Sequence, residues 1–160
     1  ADSIIFLGHG ASDTLYGSPQ DGEFTVLINE TNIQELLYGK RCFILACNSY
    51  EFCENYNLTS FIGFGNMPTG IVDVKIAMEA DTTFPSLEKE DIDTYDAALV
   101  SLLIRAFNVA WLTDMEKLYS KIRLYANVEI GECLINKPCK MFREVADLLQ
   151  DFKNDCTYCP

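Results

Sequence analysis

Three short apolar runs, Ser3–Leu7, Cys42–Ala46 and Thr59–Phe64, set the frame of this chain, because each stops abruptly at glycine or small polar residues. The stops are Gly8-His9-Gly10, Cys47-Asn48-Ser49 and Gly65-Asn66. Runs this short, bounded in this way, read as buried strands. Residues 11–22 are rich in Gly, Ser, Pro and Asp and read as a loop. Phe24–Ile28 reads as a short strand. Asn29–Asn32 then offers a turn and a helix cap, before helical spacing at Ile33, Leu36 and Leu37 and a stop at Gly39.

Further along, Tyr50–Tyr56 reads as a short helix or turn. Gly70–Ala77 fits either a strand or the start of a helix, and residues 79–91 look like an acidic surface loop. From Asp91 the pattern is helical. Ile92, Tyr95, Leu99, Leu102, Leu103, Ala106 and Phe107 form a wide apolar stripe. A second helix is expected over Asp114–Asn127, with Leu118, Ile122 and Tyr125 inward, and a third over Phe142–Phe152, separated by Asn136-Lys137-Pro138. Strand, helix, strand and strand, followed by helices, predicts an α/β fold with a mainly parallel sheet and a helical C-terminal part. We expect one domain over residues 1–160.

Composition narrows the function classes. The apolar fraction is 49% and the charged fraction 22%, as in ordinary globular domains. The formal net charge of −12 disfavours direct binding to nucleic acid or to an anionic membrane, since neutralising phosphates needs Lys and Arg. No apolar run spans a bilayer. Ala1-Asp2 leads straight into a strand-like run without a basic leader. With no initiator Met, the sequence reads as a processed chain or a piece of a larger one. Seven cysteines, an odd number, point to free thiols in a reducing, cytoplasmic setting.

The carboxyl ends of parallel strands are where functional residues collect. His9, the only histidine, ends one predicted strand, and Cys47 ends another. If the two strands are parallel neighbours, both side chains emerge at one rim, and the intervening segment is long enough for the crossover. A thiol nucleophile needs a base and needs donors for the developing oxyanion. Gly10, lacking a Cβ, would allow close approach of a substrate carbonyl, with the amides of Gly10 and Cys47 as donors. The plainer alternative is that Cys47 is a small core hydrophobe and His9 a structural histidine.

Phe6-Leu7-Gly8-His9-Gly10 resembles the strand and His-Gly block of caspase-like (clan CD) cysteine peptidases, and Phe43–Ser49 resembles their strand and Ala-Cys block. The loop and the segment Leu27–Leu37 between them are most similar to CHAT domains, the caspase-like group related to separase. Phe61–Asn66, Val72-Asp73-Val74 and Asp91-Ile92-Asp93 resemble the segments that follow the cysteine. The resemblance covers roughly residues 3–110. It implies a caspase-like sheet and peptide-bond hydrolysis, with Cys47 as nucleophile, His9 as base or orienting group, and Gly10 and Cys47 supplying the oxyanion amides. It also implies an acid that pairs with a basic substrate side chain, for which Asp73, Asp91 and Asp93 are candidates. Their alternative roles are a helix cap for Asp91 and a surface loop acid for Asp73. Regulatory domains or subunits, and a protein substrate, are the implied partners. A domain with this fold but no turnover, binding a protein through residues 79–96, is the rival expectation.

Other chemistries have less support. Cys133, Cys139 and the Cys156-x-x-Cys159 pair could offer four thiolates to structural zinc, but the first spacing is loose, and free thiols or a terminal redox pair are favoured. One histidine excludes a His-based catalytic metal site, so no metal or other cofactor is expected. A nucleotide-binding α/β domain lacks its glycine-rich phosphate loop here.

Overall fold

The second apolar run becomes the centre of a sheet. The computed structural model describes residues 2–18, 21, 23–70, 74–75, 79 and 86–160. The chain divides into two compact units: Ala1–Met67 with Ala110–Ser120 and Asp155–Pro160, and Pro68–Val109 with Lys121–Asn154.

In the first unit, β1 (Ser3–Leu7), β5 (Arg41–Leu45) and β6 (Phe61–Gly63) lie side by side and parallel. Their connections carry two short helices, α1 (Ile33–Leu37) and α2 (Ser49–Asn55). Alternate residues of β5 face opposite sides, as a pleated strand requires. Cys42, Ile44 and Ala46 pack with Ile33 and Leu37 of α1 and with Phe52 and Cys53 of α2 in one buried cluster. On the other side, Phe43 meets Phe64 edge-on at 5.6 Å. Burying a side chain such as Phe43 or Ile44 stabilises the fold by about 1.5–3 kcal/mol.

Two elements depart from the sequence expectation. Within the expected loop 11–22, Leu15–Tyr16 forms a strand, β3. It joins β2 (His9–Gly10) and β4 (Val26–Ile28) in a three-stranded antiparallel meander. The surrounding Gly, Ser and Asp hide the strand locally, but Leu15 is fully buried and its partners come from elsewhere in the chain. The second departure is β7 (Thr157–Cys159), which pairs antiparallel with β6 and makes the sheet order β1-β5-β6-β7. The terminal cysteine pair therefore belongs to an edge strand and the residue preceding it.

The second unit is helical where described. Its elements are α3 (Lys89–Val109), the part of α4 (Met115–Asn136) from Lys121 onward, and α5 (Phe142–Asp155) up to Asn154. α3 buries Ile92, Tyr95, Leu99, Leu102 and Ala106 at helical spacing. α5 buries Val145, Ala146, Leu148, Leu149 and Phe152. Helix α4 runs past the expected end at Asn127 to Asn136, through Gly131. A mid-helix glycine costs about 1 kcal/mol relative to alanine, and tertiary context overrides it here. In Gly70–Ala77, Val74 and Lys75 are helical and the Val74 amide donates to the Gly70 carbonyl (3.0 Å). Asp73 lies outside the described residues.

Candidate functional site

The rim begins where β1 and β5 stop pairing. Their register aligns Leu7 with Leu45, and the Gly8 amide extends the ladder by donating to the Leu45 carbonyl (3.1 Å). His9 and Cys47 follow those paired residues by the same two steps, so both stand at the carboxyl ends of adjacent parallel strands. Both are half-buried. The parallel pairing of β1 with β5 is the one expected from sequence.

Gly10 has a reason for being glycine that differs from the one expected. A Cβ there would lie 2.5 Å from the Cys47 carbonyl oxygen and 3.0 Å from the Ala46 Cβ. The missing side chain thus lets the two strand ends close on each other, and the space is filled by Cys47's own backbone.

The Cys47 sulfur rests against the backbone of Met67. Its S–H donates to the Met67 carbonyl (3.2 Å), and the Met67 amide donates to the sulfur (3.3 Å). The carbonyl suits the thiol and the amide suits the thiolate, so one residue contacts both protonation states. Behind the sulfur, Asn48 takes a left-handed conformation (φ 55°, ψ 23°), which Asn tolerates better than most residues, and its amide donates to Gly65 (2.9 Å). Ser49 is fully buried. Its hydroxyl donates to the Ile44 carbonyl (2.7 Å) and accepts from the Phe64 amide (2.8 Å), tying the end of β5 to the residue after β6.

On the far side of His9, the Phe24 ring lies 4.7 Å from the imidazole, tilted at 59°, and 6.0 Å from the Tyr16 ring. Sequence reasoning missed Phe24, Met67 and Ser49 as neighbours of the site. Their roles depend on pairing across the meander and on the turn after β6, and neither leaves a local pattern.

Of the candidate acids, Asp73 lies outside the described residues, and Asp91 and Asp93 belong to the second unit. Asp91, in the second unit, is 1% exposed and its two oxygens accept from the amides of Glu88 (2.9 Å) and Met141 (3.0 Å). This is the helix-start role, with a tie to the turn before α5 added. Burial opposes its ionisation, but those amides, the Cys139 thiol and Lys140 outweigh burial and hold its carboxyl below the usual carboxylate range. Asp93 is exposed and pairs with Lys89 one turn earlier (2.5 Å).

Burial pushes Cys42 up to about 11, with Lys40 pulling it part way back, and pushes Cys53 higher still. The seven cysteines form no disulfide. Among the described residues, no group of three His, Cys, Asp or Glu side chains could hold a metal, and no helix is long and apolar enough to cross a membrane.

Fold and site together define a mixed α/β protein with a mostly parallel four-stranded sheet, carrying an imidazole and a thiol on adjoining strand ends. No protein-family model, curated protein or solved structure matches the chain.

Proposed function

We propose that this chain is a caspase-like cysteine endopeptidase domain of the CHAT and separase type, acting in the cytoplasm under the control of partner domains or subunits. The observation that carries the reading is the parallel register of β1 and β5, which delivers His9 and Cys47 to one rim with Gly10 closed against the Cys47 backbone.

In this reading His9 takes the proton of Cys47, and the thiolate attacks the scissile carbonyl carbon. The oxyanion is met by the amides of Gly10 and Cys47. The C–N bond breaks as His9 passes its proton to the leaving amine, and water then hydrolyses the thioester. The Met67 amide would steady the sulfur once it is ionised, whereas its carbonyl favours the resting thiol. Recognition of a basic side chain before the cleaved bond is assigned to Asp73 and Asp93 by resemblance alone. Asp91 is already committed to two backbone amides.

The same Met67 contact favours a second reading, a scaffold domain of this fold in which the thiol is held by backbone and turns nothing over. A thiol-reactive peptide probe separates the two. Labelling of Cys47 ahead of the other six cysteines, with cleavage lost in Cys47→Ala, supports the enzyme. Slow, uniform labelling, or cleavage that survives Cys47→Ala, rejects it.

A further inference from the structure

The meander next to His9 has two unlike faces. Cross-strand partners project to the same side of an antiparallel ladder. Gly10, Leu15 and Ile28 form one row, and Leu15 and Ile28 lie in the core. His9 and Tyr16 form the other row, with Phe24 leaning on both rings, and Val26 stands opposite Tyr16 at the register shift in the β3–β4 pair. Phe24 is 51% exposed and Val26 49%, so this row presents apolar surface to solvent beside the imidazole.

Strand adjacency puts these groups in order. The end of β5 carries Cys47, and β2 with His9 lies against it through the Gly8–Leu45 bond and the Gly10–Cys47 contact. β3 with Tyr16 and β4 with Val26 follow. A group that protonates the leaving amine stands on the leaving-group side of the scissile bond. The chain beyond that bond therefore runs from His9 towards Phe24, Tyr16 and Val26.

We propose that this row is the subsite for the first residue after the scissile bond and that it selects a bulky apolar side chain. The inference rests on the proteolytic reading of His9 and Cys47. Burying such a side chain against Phe24 and Val26 removes apolar area from water on both partners. Apart from His9 itself, the row carries no cationic side chain to attract an acid, and the exposed Asp21 and Glu23, close to Phe24 in sequence, repel one.

The test is a peptide library varied at the position after the cleaved bond and read by mass spectrometry, with the wild-type chain and with Phe24→Ala, Phe24→Leu, Val26→Asp and Cys47→Ala. The expected result is Leu, Ile and Phe cleaved about tenfold faster than Gly or Asp, with the preference largely lost in Phe24→Ala and Val26→Asp and kept in Phe24→Leu. A flat profile, a preference for charged residues, or variants that slow all peptides in parallel overturns the subsite; if Cys47→Ala is inert, proteolysis still stands. Cleavage that persists in Cys47→Ala, or no cleavage of any peptide, removes the proteolytic reading and the subsite with it.

Discussion

The rim of the sheet and the start of α3 each bring a thiol to hydrogen-bonding groups of different kinds. At the rim, the half-buried Cys47 follows the last paired residues of β5, and its sulfur hydrogen-bonds the backbone of Met67. At the start of α3, Cys139 is buried and hydrogen-bonded to Asp91, and its thiol is pushed up to about 11, by burial first and then by that carboxylate. A carboxylate beside a buried thiol keeps the proton on sulfur, whereas Met67 offers the Cys47 sulfur both a carbonyl and an amide. Cys42, five residues before Cys47, faces the core from β5, and burial pushes its thiol up to about 11.

The sharpest way to break this comparison is at the two thiols. Cys47→Ala should abolish peptide cleavage and His9→Ala should lower it by roughly 10²–10⁴, whereas Cys139→Ala should leave the rate of the folded protein unchanged; steady-state kinetics on a cleaved peptide checks all three. Alkylation near pH 8, mapped by mass spectrometry, should reach Cys47 while Cys42 and Cys139 react only after unfolding. Equal labelling of Cys47 and Cys42 in the native protein would remove the distinction.

Asp91 offers the converse test. Asp91→Ala leaves the Glu88 and Met141 amides without their acceptor and should destabilise the protein by about 2–3 kcal/mol in urea unfolding. Because the folded carboxyl lies below its ordinary value, its contribution is present above pH ~4 and is lost as pH falls through the folded pKa. The wild-type chain should therefore lose more stability on acidification than Asp91→Asn does. Ser49→Ala, which frees the Ile44 carbonyl and the Phe64 amide behind Cys47, should cost about 1–3 kcal/mol. The smallest effect is a gain: a Cβ at Gly131 meets nothing within 4 Å, so Gly131→Ala should raise stability by about 0.5–1 kcal/mol.

The strands β1, β5 and β6 were legible as short apolar runs with abrupt glycine or small polar stops, and the helices α3 and α5 because their apolar residues repeat at helical spacing. That His9 and Cys47 stand two residues past paired ends of β1 and β5 was legible too, since both follow such runs directly. β3 was not, because two residues, Leu15 and Tyr16, carry no period. β7 was not, because Thr157–Cys159 becomes a strand only by pairing with β6.

Local pattern thus specified which segments are extended or helical and which residues end them, because burial of one face acts over a few neighbouring residues. Folding in three dimensions settled what surrounds each end: the Met67 backbone on the Cys47 sulfur, Phe24 over the His9 ring, and Asp91 bonded to two amides. Those contacts join residues distant in the chain, and hydrogen bonds and ring packing depend on distance and angle in space, which no spacing along the sequence encodes.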